Sequence, residues 1–140
     1  KGRDGCRAPM QWSSEINAGF SYCDPWLPVH SDFPKRNVTQ QTSDPDSLLN
    51  FYKKVIKIRK SEPALQRGNF TALEENPKQI LAYQRQYKDD KLTILLNFTS
   101  RKLNFDLPEG QWNSLLNEDR IAAGSIQLSP YQVDILKMVK

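Results

Sequence analysis

From Gly68 onward, apolar and polar residues alternate with a period of two, in short runs separated by turn-forming residues. The pattern predicts strands over Phe70–Leu73, Ile80–Tyr87, Leu92–Phe98, Lys102–Leu107, Trp112–Asn117, Ser125–Leu128 and Tyr131–Met138. Glu74–Pro77, Lys88–Lys91 and Pro108–Gly110 supply the turns between them. Leu92–Phe98 is the most apolar run and reads as a central strand. Many short strands joined by tight turns argue for an antiparallel sandwich. Its expected inner positions are Leu92, Ile94, Leu96, Phe98, Leu103, Phe105, Val133 and Ile135.

Residues 44–60 carry the other period. Leu48, Phe51, Tyr52, Val55 and Ile58 recur at spacings of three and four, which predicts a helix with one apolar face. Ser43 or Asp44 can cap it, with Pro45 in its first turn. Lys53, Lys54, Lys57, Arg59 and Lys60 gather toward the negative end of its dipole and read as a solvated face. Glu62-Pro63 ends it. Residues 1–42 follow neither period and read as a long irregular loop containing Trp12, Phe20, Tyr22, Trp26 and Phe33. Loops of that length in compact proteins are usually functional, and the scattered aromatics imply a packing partner outside the loop.

Composition narrows the possibilities. The chain has 140 residues, 26% charged and 38% apolar, with a net charge of +4 that is spread along its length. That fits an ordinary folded protein and offers no basic block for nucleic acid. No apolar run is long enough for a membrane span. The absence of an initiator methionine at Lys1 fits a fragment or processed chain. Cys6 and Cys23 make no disulfide framework and, with one histidine, no zinc pattern; we read them as free thiols. Asn37-Val-Thr, Asn69-Phe-Thr and Asn97-Phe-Thr match the glycosylation sequon, a pattern short enough to recur by chance.

Little of the chemistry-bearing inventory points to a self-contained catalyst. A Ser-His-Asp or Cys-His site would have to use His30, which stands in a proline-rich loop and reads as a surface or supporting residue. Asp4, Glu15, Asp24 and Asp32 are the loop carboxylates, and turn formation or arginine pairing accounts for them. Arg3 and Arg7 differ, because a guanidinium offers several donors in a fixed fork suited to carboxylates and hydroxyls. The residues alone leave ion pairing and ligand contact open for both.

The segment Arg3-Asp4-Gly5-Cys6-Arg7-Ala8-Pro9-Met10-Gln11-Trp12 resembles one found in α-glucosidases of glycoside hydrolase family 13, the oligo-1,6-glucosidase and maltase group. The resemblance continues in order through Asn17-Ala18-Gly19-Phe20-Ser21, Pro25-Trp26-Leu27-Pro28-Val29, Asn37-Val38 and the helix start Asp44–Tyr52, and later Leu95-Leu96-Asn97-Phe98. It implies a (β/α)8 barrel followed by an all-β antiparallel sandwich. Residues 1–43 would be the loop after the last barrel strand, on the active-site side; 44–62 the last barrel helix; and 66–140 the sandwich. It also implies retaining hydrolysis of terminal α-glucosyl bonds of malto- or isomalto-oligosaccharides, with no cofactor and with catalytic carboxylates upstream of Lys1, so that these residues alone would be inactive. Arg3 would face the terminal glucose, and Arg7 would support it or touch sugar. The substrate would be met through the parent barrel, in the cytoplasm, with no nucleic-acid or membrane partner. Ala8 and His30 stand where the family often has Thr and Asn.

Two other readings stay open at this stage. One is the non-enzymatic ectodomain of an amino-acid transporter heavy chain, which shares a related Pro-Met-Gln-Trp segment. The other is a carbohydrate-binding sandwich displaying Trp112, Tyr83, Tyr87 and Tyr131 in a row.

Overall fold

A computed structural model describes residues 2–73, 79–117 and 121–139. The expected turn over 74–77 lies outside the described residues. The chain forms two compact units, residues 1–54 and 55–140. No helix among the described residues is long and apolar enough to cross a membrane.

In the first unit, residues 2–37 are irregular apart from two short 3₁₀ turns, Asp4–Cys6 and Ile16–Gly19. They are followed by helix α1, Val38–Ser43, and then by α2, Leu48–Ser61, which continues into the second unit. Both helical details correct the sequence expectation. Residues 38–43 read as loop, yet they form a helix. Ser43 and Asp44 do not cap the next helix: Ser43 belongs to α1, and Asp44 is its C-cap. The cap of α2 is Ser47, whose Oγ accepts the Asn50 N–H at 3.2 Å. The Asn50 side-chain amide, in return, reaches the carbonyls of Gln41 at 2.9 Å and Asp44 at 2.7 Å, satisfying acceptors that the end of α1 leaves orphaned. Polar reciprocity, which hydrophobic periodicity does not detect, ends α1 at Ser43 and starts α2 afresh at Leu48.

The second unit contains α3, Pro63–Arg67, and a sheet of β1 (Asn69–Ala72), β2 (Ile80–Tyr87), β3 (Asp90–Asn97), β4 (Leu103–Ser114), β5 (Ile121–Leu128) and β6 (Val133–Met138). The order is β1-β2-β3-β6-β4-β5, and every pairing is antiparallel. The all-β antiparallel expectation is met by a single six-stranded sheet with a core on each face. Ala82, Leu95, Leu136, Trp112 and Ala122 share one core with Ile80, Phe105, Leu107, Ile126 and Leu128. Leu92, Ile94 and Ile135 form the other, beneath Ile58 of α2 and Ala64 of α3. β3 is therefore buried on both sides, which explains why Ile94, Leu95 and Leu96 are apolar in succession rather than alternating with polar residues. Each fully buried aliphatic side chain here is worth about 1.5–3 kcal/mol of transfer free energy. Phe98, expected inside, lies just past the end of β3 and is exposed.

Lys137 Nζ donates to Glu62 Oε2 at 2.8 Å, tying the junction of α2 and α3 to the last strand. Asn97, buried at the end of β3, donates to the carbonyls of Arg101 and Ser129 at 2.7 and 2.8 Å, and its own oxygen accepts from the Thr99 N–H and hydroxyl. It joins the loops after β3 and β5.

β4 is longer than expected. Pro108–Gly110 does not turn the chain, so the two expected strands around it are one strand. Its register with β5 shifts between Asp106 and Gln111. Phe105 and Leu107 point into the core before the bulge; Trp112 and Ser114 do so after it, on the opposite parity. Gly110 holds φ 123°, a conformation that side-chain-bearing residues resist. Trp112 closes the bulge by donating Nε1–H to the Pro108 carbonyl at 3.0 Å.

That placement removes the aromatic row of a carbohydrate-binding module. Trp112 is fully buried, Tyr83 and Tyr87 are half-buried against the second core, and Tyr131 alone is exposed.

Candidate functional site

The candidate site lies in residues 2–54, where polar anchoring replaces a core. Trp12 and Ser13 both donate their N–H groups to the Ala18 carbonyl, at 2.9 and 3.0 Å. This closes a loop whose tip, Asn17-Ala18-Gly19, is left-handed at three successive residues, with φ of 51°, 58° and 66°. Non-glycine residues in that region are costly and persist where the surroundings fix them. Asn17 is fixed by its side-chain amide, which donates to the carbonyls of Ser21 at 3.2 Å and Cys23 at 3.0 Å. Ala18 is completely buried. Gly19 is required: a Cβ there would lie 2.6 Å from Ser13 Oγ.

The same strand-like segment satisfies the start of α1. Val38 N–H donates to the Gln11 carbonyl and Thr39 N–H to the Trp12 carbonyl, both at 3.0 Å. Gln40 N–H goes to Asn37 Oδ1 at 2.9 Å and Gln41 N–H to the Asn37 carbonyl at 3.0 Å. The first three helical N–H groups, which have no intrahelical acceptor, thus have partners, and Gln41 N–H makes the first intrahelical bond. Asn37 followed by Gln40 is a cap signature that could have revealed this helix in the sequence.

Asp32 is the polar centre of the unit. Its Oδ1 accepts from Gln11 Nε2 at 2.8 Å and lies 2.6 Å from His30 Nδ1; its Oδ2 is 3.6 Å from Arg36 Nη1. The hydrogen bond from Gln11, followed by that from His30, lowers the Asp32 carboxyl below the usual aspartate range. The sequence offered Asp32 as a turn or arginine-pairing carboxylate, but its contact with Gln11, 21 residues away, was not legible there.

Arg3 and Arg7 stand at the two ends of the Asp4–Cys6 turn, as its N-cap and C-cap. The turn is closed by Cys6 N–H and Arg7 N–H donating to the carbonyls of Arg3 and Asp4, at 3.2 and 3.1 Å. The Cys6 thiol also points at the Arg3 carbonyl, at 3.0 Å. Both arginines are exposed, and neither guanidinium pairs with a carboxylate among the described residues. The internal ion pairing left open by the sequence does not form among the described residues. The two arginines leave the ends of one turn with their side chains exposed.

Elsewhere in the same unit, several aromatics face outward. Trp12 and Phe20 are each 48% exposed, Trp26 79% and Tyr22 104%. Glu15, Ile16, Gly19, Phe20, Ser21 and Tyr22 border a small open cleft of about 160 Å³. Cys6 and Cys23 are exposed free thiols. Two sequons are occupied structurally: the Asn37 amide donates to the Phe33 carbonyl at 2.9 Å, and Asn97 is buried in the loop junction described above. No group of three or more candidate metal ligands gathers among the described residues.

Residues 1–68 match the family model of the alpha-amylase catalytic domain, and residues 70–135 match that of the maltogenic amylase C-terminal domain. The chain belongs to the α-amylase family, glycoside hydrolase family 13. Within that family it is 34% identical to an oligo-1,6-glucosidase of Bacillus cereus, over 99% of the chain and 26% of the relative. It is 36% identical to an α-glucosidase of Schizosaccharomyces pombe, over 99% of the chain and 25% of the relative. Among solved structures it superposes on the trehalulose synthase MutB from Pseudomonas mesoacidophila with a TM-score of 0.83 and 32% identity, covering 98% of the chain and 26% of that protein. The chain therefore spans about a quarter of the length of the relatives it matches.

Proposed function

We propose that this α-amylase-family chain is the C-terminal part of a retaining α-glucosidase that hydrolyses terminal α-glucosyl bonds of malto- or isomalto-oligosaccharides. The observation that carries this reading is the placing of Arg3 and Arg7 at the two ends of one 3₁₀ turn, both exposed and without a carboxylate partner among the described residues, in a segment that resembles the α-glucosidase motif. Arg3 donates to hydroxyls of the non-reducing glucose and pairs with a carboxylate outside these residues; Arg7 supports it. Residues 1–43 form the loop on the active-site side, 44–62 the last barrel helix and 66–140 the C-terminal domain. The outward aromatics of the loop, Trp12, Phe20, Tyr22 and Trp26, pack against the rest of the catalytic domain.

The nucleophile and the acid/base come from that remainder; within this loop, Asp32 is engaged by Gln11 and His30, and Asp44 ends α1. The exposed thiols Cys6 and Cys23 fit a reducing compartment, which supports a cytoplasmic location. The relatives matched over nearly the whole chain are glycosidases, which favours an enzyme over a transporter heavy chain.

The test is turnover of maltose and isomaltose by the full-length protein that carries this chain. Hydrolysis with retained anomeric configuration is expected there, and none from the 140 residues alone. Arg3→Ala in the full-length protein should lower kcat/KM by about tenfold or more, the loss of a charge-assisted hydrogen bond. An unchanged kcat/KM would remove Arg3 from the site.

A further inference from the structure

The turn that carries the arginines buries none of its residues. Its position is set downstream, where Pro9 is buried and Gln11 is half-buried. Gln11 is held at two points. Its carbonyl accepts the Val38 N–H at the start of α1, and its side-chain amide donates to Asp32 Oδ1. The second hold depends on where Asp32 points, and that is fixed from three sides. Asp32 Oδ1 is 2.6 Å from His30 Nδ1, its Oδ2 faces Arg36, and its own carbonyl accepts from Lys35 N–H and Arg36 N–H, each at 2.9 Å. His30 Nδ1 faces two groups of Asp32: Oδ1 at 2.6 Å, to which it donates when it carries a proton, and the backbone N–H at 3.3 Å, from which it accepts when it does not.

We propose that Asp32 and His30 are positioning residues for the Arg3–Arg7 turn. His30 orients the Asp32 carboxylate, the carboxylate holds the Gln11 amide, and Gln11 fixes the register of the segment leading back to Arg7 and Arg3. The four-residue step from Gln11 to Arg7 spans at most about 14 Å of extended chain, so freedom gained at Gln11 reaches the guanidiniums. Displacements of about 1 Å in substrate-positioning groups are enough to weaken a site. The proposal rests on the α-glucosidase reading of Arg3.

The experiment measures kcat and KM for isomaltose and maltose in the full-length protein, with Asp32→Ala, Gln11→Ala, the double variant, Asp32→Asn and His30→Ala. Asp32→Ala is expected to raise KM about three- to tenfold, with kcat within about twofold of wild type. Gln11→Ala should match it, and the double variant should be no worse than either single one, since both remove the same link. Asp32→Asn keeps an oxygen that accepts from Gln11 and should restore KM to within about twofold; His30→Ala should fall between the two. A purely structural Asp32 would lower the active fraction, and so kcat, while leaving KM unmoved. That outcome, or KM effects of Asp32→Ala and Gln11→Ala that simply multiply, overturns the proposal. A wild-type protein that turns over neither sugar overturns the α-glucosidase reading and this proposal with it; an active wild type with an unaltered Asp32→Ala overturns the positioning role alone.

Discussion

Residues 2–54 and residues 55–139 solve the same folding problem by different means. The second unit buries apolar side chains on both faces of a sheet, and its buried Glu62, Asn97, Ser114 and Asp134 are hydrogen-bonded. The first buries little beyond Pro9, Ala18, Asn37 and Ser47, and turns its aromatics outward. It holds its shape with side-chain-to-backbone hydrogen bonds that close turns and cap helices. The difference teaches that the two parts respond to different perturbations. Loss of apolar volume should unfold the sheet, whereas loss of single polar groups should loosen the loop locally.

The sharpest way to break the comparison is Trp112→Ala. It removes a fully buried indole and the hydrogen bond that closes the β4 bulge, so the second unit should lose about 3–5 kcal/mol in chemical denaturation. A loss below about 1 kcal/mol would mean that the sheet tolerates cavities and is not core-driven. Next comes Lys137→Met. Glu62, only 8% exposed, would be left without its cation, at a cost of about 2 kcal/mol for a pair whose lysine is partly solvated, and Glu62→Gln on the same background should recover most of that. Smaller again, Asn37→Ala in the first unit should cost about 1–2 kcal/mol through the lost helix cap. The change should be read as faster hydrogen exchange at Gln40 and the α1 amides, with the sheet amides unmoved. Equal acceleration in both units would erase the distinction between them.

The smallest expected effect is titration of Asp32. Its carboxyl is lowered in the folded chain, so its contribution to stability is present above the ordinary aspartate range and disappears as pH falls through the lowered value. The Gln11 side-chain amide resonances should therefore shift on acidification only below the ordinary aspartate range. A transition within that range would show that the Gln11 and His30 contacts do not hold in solution.

The sheet was largely legible in the sequence because its physics is periodic. The alternation in Ile80–Tyr87 fixed a strand to the residue, and the apolar richness of Leu92–Phe98 marked a central strand, which the structure covers on both sides. The bulge was misread as a turn because Pro108-Glu-Gly110 has turn chemistry; the ladder continues on both sides of it because Trp112 is drawn into the core. In the first unit, the arginines and the order of the motifs were readable, but α1 and the Asp32 centre were not. These depend on contacts such as Gln11 with Asp32 and Asn50 with Gln41, which carry no period. Only the Asn37–Gln40 spacing offered a local signal.

The bulge in β4 also sets a rule of parity. Four residues, Leu107 to Gly110, stand opposite the single Gly124, and that surplus carries the inward face from the odd positions of Phe105 and Leu107 to the even positions of Trp112 and Ser114. Any lengthening or shortening of this stretch during evolution is constrained by counting rather than by chemistry. A change of two residues leaves Trp112 facing the interior, whereas a change of one delivers it, and everything up to Ser114, to the wrong side of the sheet.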